Sequence, residues 1–120
     1  MKLNPNKEPS KRQIQLGLEL RSIAQDFFQR ESSGASLITV TQAEITANMR
    51  SATIYITVLP ESKEEAALDF AKRMRSDLRE VVKKRLPVKV IPFIDFELDY
   101  GEKNRVRVSE LLHKEKTQGK

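Results

Sequence analysis

Two runs rich in β-branched residues, LITVTQAEI at 37–45 and ATIYITVL at 52–59, stand almost side by side in the chain, with TANMR linking them. Such residues favour a pleated backbone, and so short a link joins two strands as an antiparallel pair, since a parallel connection needs about a dozen residues or more. A β-hairpin is therefore predicted. Two strands alone are marginal in water, so the remaining chain has to extend this sheet and cover it.

PFIDFELDYG at 92–101 supplies the extension, because Ile94, Phe96 and Leu98 alternate with Asp95, Glu97 and Asp99 in the pattern of a strand with one buried face. Helices supply the cover. Between Ser10 and Gln29, Leu16, Leu20, Ile23 and Phe27 recur at helical steps with Ile14, Ala24 and Phe28 alongside, and Ser10 is a suitable cap. ESSGAS at 31–36 breaks that pattern. After Pro60 and Glu61, the residues Ala66, Ala67, Phe70, Ala71, Met74, Leu78, Val81 and Val82 keep a helical spacing as far as Leu86, with Ser62 and Glu65 in a capping-box arrangement. The order read from the residues is α-β-β-α-β.

A chain of 120 residues, 38% of them hydrophobic, makes one domain with a modest core. We expect it to span 10–112, after a flexible, proline-broken segment at 1–9 and before a flexible tail at 113–120. The first residues contain no apolar signal core, and no run of about eighteen apolar residues occurs. Cysteine is absent, which excludes disulfides and thiolate metal sites and suits a reducing compartment. A cytoplasmic monomer is expected.

Lys and Arg number 22 against 17 Asp and Glu, a net +5 that favours a polyanionic partner without choosing among RNA, DNA and anionic lipid. The excess is concentrated in FAKRMRSDLREVVKKRLPVKV at 70–90, where Lys72, Arg73, Arg75, Arg79, Lys83, Lys84, Arg85 and Lys89 face only Asp77 and Glu80. On a continuous helix turning roughly 100° per residue, Lys72, Arg75, Arg79 and Lys83 gather opposite Phe70, Ala71, Met74, Leu78, Val81 and Val82. Basic side chains often do no more than solvate a helix face. Here, however, like charges at helical spacing repel by a few tenths of a kcal/mol per pair, and a phosphate backbone would neutralise them. On this reading, changing Arg75, Arg79 and Lys83 together to Gln leaves the fold intact and weakens binding.

Other chemistry is thin. His113 is the sole histidine, so no histidine triad or histidine metal cluster can form. Asp95, Glu97 and Asp99 share a strand face in the ordinary solvated pattern rather than as metal ligands. The glycines, at 17, 34, 101 and 119, build no phosphate loop. No catalytic group, cofactor or metal is expected. Phe27, Phe28, Phe70 and Phe96 belong to the core, whereas Tyr55 and Phe93 fall on the other side of the strands as candidates for stacking on bases.

Three blocks follow one another from Thr39 to Leu112. TVTQAEIT leads into SATIYITVL, with Ala52, Ile54, Tyr55 and Ile56 in an A-x-V-Y-V pattern; KRLPVKVIPFIDFELD carries a basic run into P-x-L-x-F-x-x-D at Pro92, Ile94, Phe96 and Asp99; Arg107, Val108 and SELL close the series. In order and spacing they resemble the ribosome-binding factor A family, bacterial assembly factors of the small ribosomal subunit. The resemblance implies an α+β fold of type II KH-like topology, α-β-β-α-(kink)-α-β, with the helices on one face of a three-stranded sheet. Ordinary KH domains clamp nucleotides with a GxxG loop, which this family replaces by an Ala-x-Gly kink. The kink position here reads Met74-Arg75-Ser76, with neither Ala nor Gly. Either Ser76 caps a helix that begins near Asp77, or the helix runs straight through.

The resemblance further implies a factor that binds the precursor small subunit and its ribosomal RNA, assists late maturation and 5′-end processing, and catalyses nothing. Its candidate RNA contacts are Lys72, Arg75, Ser76, Arg79, Lys83, Lys84, Arg85 and Lys89, with Arg105 and Arg107 as secondary ones. Such phosphate contacts position without specifying sequence. The residues alone leave two other readings open: a KH-like module for other single-stranded nucleic acid, and a protein-docking domain for an acidic partner.

Overall fold

Ser10 starts the first helix as expected. Its Oγ accepts a hydrogen bond from the Gln13 amide at 3.1 Å, and Gln13 Oε1 accepts one from the Ser10 amide at 2.9 Å, a complete capping box. Helix α1 runs Lys11–Arg30 and buries Leu16, Leu20, Ile23, Ala24, Phe27 and Phe28. The computed structural model describes residues 8–31 and 36–101. Arg105, Arg107, the closing motif around SELL and the terminal tail lie outside them.

Strands β1 (Leu37–Ile45) and β2 (Ser51–Leu59) form the antiparallel hairpin, and β3 (Phe93–Leu98) adds parallel to β2, giving the order β1-β2-β3. In the hairpin turn Met49, not Asn48, takes the left-handed conformation at φ 62°. That costs a residue with a Cβ about 1–2 kcal/mol, offset in part because the Met49 side chain packs against the core. Asn48 instead uses its Oδ1 to accept from the Thr46 hydroxyl and the Arg50 amide.

Two expectations for the following segment are corrected. The Ser62–Glu65 capping box does not form: a 3-10 turn at Glu61–Lys63 takes up Ser62, and helix α2 (Glu64–Arg73) begins after Lys63 without a side-chain cap. The next helix, α3 (Arg75–Arg85), starts directly after Met74, so Ser76 lies inside its first turn and caps nothing. The chain does kink. Met74 sits at φ −86°, ψ 4°, a bridge conformation open to L-residues with a side chain, so the bend needs no glycine.

All three helices pack on one face of the sheet. Ile54, Ile56, Ile94 and Phe96 from the strands meet Leu20, Leu78 and Val82 from the helices in one buried cluster. Phe28 lies at its aromatic centre, edge-on to Phe27 at 5.2 Å and to Phe96 at 5.8 Å, and tilted to Phe70 at 6.5 Å. Ala66 is exposed, while Ala67 and Ala71 are the small residues that α2 buries.

Both sheet edges are finished by side chains from the helix layer. At β1, Gln25 Oε1 accepts from the Val40 amide at 2.8 Å beside a β-bulge, and Gln13 Nε2 donates to the Ile45 carbonyl at 3.0 Å. At β3, Arg75 Nε donates to the Ile94 carbonyl at 2.6 Å. Free edge groups invite another strand, and these bonds occupy some of them. Helix α1 comes so near β1 that a Cβ on Gly17 would lie 2.8 Å from the Ala43 carbonyl oxygen.

Candidate nucleic-acid interface

The break at Met74 changes the geometry of the basic segment. One helical wheel cannot describe residues 70–85, because a non-helical residue resets the phase of α3 relative to α2. Lys72 and Lys83 are exposed as the wheel predicts, but Arg75 and Arg79 are half-buried. Arg75 reaches round the β3 edge, donating from Nε to the Ile94 carbonyl and from Nη2 to Asp95 Oδ1 at 3.0 Å, and its guanidinium carbon lies 4.8 Å from the centre of the Phe93 ring. It belongs to the sheet edge. Arg79 Nε is buried and finds no acceptor.

Pairing partners also come from elements far away in sequence. Besides the Arg75–Asp95 pair, Arg85 Nη1 bonds Asp26 Oδ2 of α1 at 3.2 Å, and Lys83 Nζ lies 3.2 Å from Glu80 Oε2. Among the described residues, Lys72, Lys84 and Lys89 are exposed and enter no ion pair. Lys72 lies in the last turn of α2, Lys84 in the last turn of α3, and Lys89 in the segment leading to β3. Cations at helix C-termini also offset the macrodipole. Ser76 is exposed on the first turn of α3.

The opposite side of the molecule is acidic. Strand register places Glu44, Thr53 and Asp95 in one row of the open sheet face, and Gln42, Tyr55 and Glu97 in the next. Asp99 accepts from the Thr41 hydroxyl across the sheet. The Tyr55 hydroxyl donates to Glu44 Oε2 at 3.4 Å. Burial, then the charges of Glu44 and Glu97, raise the Tyr55 pKa above the ordinary phenol value. A groove of about 390 Å³ between α1 and β1, bordered by Ile14, Gly17, Leu18 and Ala43, contains Arg21 but none of the cations named from the sequence.

The family model for ribosome-binding factor A matches residues 12–112. The chain belongs to the ribosome-binding factor A family. A family member from Beutenbergia cavernae is 34% identical over 107 residues, covering 84% of this chain and 65% of its own length. The crystal structure of ribosome-binding factor A from Thermus thermophilus superposes with a TM-score of 0.66 at 20% identity, over 72% of this chain and 94% of that one. A homology model of the Thermus thermophilus factor, as fitted into the cryo-EM map of its 30S complex, gives a TM-score of 0.63 at 20% identity, over 71% of this chain and 92% of that one. At such identities the likeness carries the fold, which is the KH-like one expected for the family.

Arg50 is a cation that the sequence reading passed over. It is exposed in the hairpin, and its carbonyl accepts from the Phe93 amide at 2.8 Å, which brings it to the start of β3. Its sequence signal was weak, since it lies outside the basic run.

Proposed function

We propose that this protein is a ribosome assembly factor that binds the precursor small subunit through phosphate contacts, assists late maturation including 5′-end processing of its RNA, acts in the cytoplasm as a monomer and catalyses no reaction. The observation that carries the reading is the family match over 12–112. The fitting of a fold relative into the map of a 30S complex supports it. Unpaired exposed lysines supply the electrostatics. Lys72, Lys84 and Lys89 are the leading phosphate contacts in this proposal. Arg79, Lys83 and Ser76 are secondary, and Arg75 and Arg85 contribute field while already holding carboxylates.

Each neutralised phosphate releases condensed counterions, so with about four to six contacts the log–log salt slope of binding to precursor subunits should be roughly −3 to −5. Changing Lys72, Lys84 and Lys89 together to Gln should lower affinity about ten-fold or more and flatten that slope by roughly two to three, with melting unchanged. Co-sedimentation across a salt series measures both. A salt-independent parent would favour protein docking instead.

A further inference from the structure

We propose that Phe93 is a stacking platform for one unpaired base of the bound RNA, an inference that rests on the RNA-binding reading above. Phe93 opens an edge strand on the open sheet face and is 54% exposed, outside the core cluster that takes Phe27, Phe28 and Phe96. The ring meets the Arg75 side chain but no part of the core cluster, so burial does not account for an aromatic residue at this place. Its position is nevertheless firmly set. The Phe93 amide donates to the Arg50 carbonyl, and the Arg75 guanidinium lies over the ring at 4.8 Å. Arg75 is itself held by Ile94 and Asp95, so the ring and its cation are ordered before anything binds, which lowers the entropic cost of a stack. Aromatic rings combined with arginine cations are the means by which proteins hold single-stranded nucleotides without reading their sequence.

Charge decides between this ring and Tyr55. A strand passing over Tyr55 would bring phosphates against Glu44, Glu97 and Asp99, which already surround its hydroxyl. Over Phe93, at the end of the sheet, the neighbours are Arg50 on the hairpin and Arg75 on α3, with Asp95 already engaged by Arg75. The base therefore stacks at Phe93, and the acidic rows keep the strand off the rest of the sheet. That charge pattern also favours RNA over an apolar protein surface as the occupant.

The chain contains no tryptophan, so Phe93→Trp introduces a single reporter. On titration with precursor small subunits, read as a difference against the parent protein, its emission should be quenched by the stacked base while affinity is kept. Phe93→Leu should melt like the parent, bind about ten-fold more weakly, and retain the parent salt slope, since a stack releases no counterions. If Phe93→Leu binds like the parent while the Lys72, Lys84 and Lys89 variant is weakened, the platform is wrong and the RNA-binding reading stands. If Phe93→Leu loses affinity but the tryptophan of Phe93→Trp shifts to the blue without quenching, an apolar protein contact covers the ring and the proposal is likewise overturned.

Discussion

Arg75 and Lys83 carry the same charge on the same helix, yet their surroundings give them different consequences. Arg75 bonds a sheet-edge carbonyl and Asp95 with its side chain only 29% exposed, whereas Lys83 meets Glu80 in open solvent. Arg75→Gln should therefore cost about 1–3 kcal/mol, a fall of several degrees in melting temperature at roughly 4–8 °C per kcal/mol. Lys83→Gln should stay within a few tenths, as exposed pairs do. The uniform tolerance expected of Arg75, Arg79 and Lys83 is thus revised by the structure. Gly17 is decided by a single distance. Alanine would normally favour a helix by about 1 kcal/mol, but its Cβ would press on a backbone oxygen that cannot rotate away. Overpacking of this kind costs about 1–3 kcal/mol, so Gly17→Ala should lower the melting temperature despite its better propensity.

The pair α2 and α3 shows how an element boundary can escape its sequence. Hydrophobic spacing continues across Met74, and none of Met74, Arg75 and Ser76 is a helix breaker, so only the family resemblance pointed to a kink there. The bend arises because α2 buries Ala67 and Ala71, while α3 must bury Leu78 and Val82 against the same sheet. With Ser76 inside α3 and making no cap, Ser76→Ala should be neutral or slightly stabilising, and Ser76→Gly should cost up to about 1 kcal/mol. Thermal midpoints of the two variants give the order; a capping serine would reverse it. The glutamines of α1 act across elements in a similar way, since Gln13 completes its own cap and also binds β1.

Taken as one body, the protein separates its charge, with unpaired lysines on the helices and turns and carboxylates on the open sheet. Changing Glu44 and Glu97 to Gln should raise affinity for naked ribosomal RNA several-fold, mainly through faster association at low salt. The same change should move the Tyr55 pKa down only part of the way, because burial is its first cause. A near-ultraviolet absorbance titration reads that shift. In the parent, the phenol ionises less readily in the folded protein than in the unfolded chain, so stability is undiminished below the unfolded value of about 10 and is lost as pH climbs from there through the higher folded value. Tyr55→Phe should accordingly remove part of the alkaline loss of stability and leave the neutral range nearly unaffected.

Local pattern was enough to read α1 with its Ser10 cap, the hairpin, the alternation of β3 and the placing of Phe27, Phe28 and Phe96 in the core, with Phe70 half-buried against it. These follow from period and propensity, which act between near neighbours in the chain. The blocks from Thr39 to Leu112 were also enough to point to the family. The partners of the cations were another matter. Asp26 lies 59 residues from Arg85 and Asp95 lies 20 from Arg75, distances at which no helical wheel has anything to say. Whether a lysine or arginine is free depends on which carboxylates the packing brings beside it, and Ser62, Ser76 and Met74 took their roles from how two short helices settle on a shared sheet. Burial against that sheet outweighs local capping rules of about 1 kcal/mol, so only the tertiary structure could decide them.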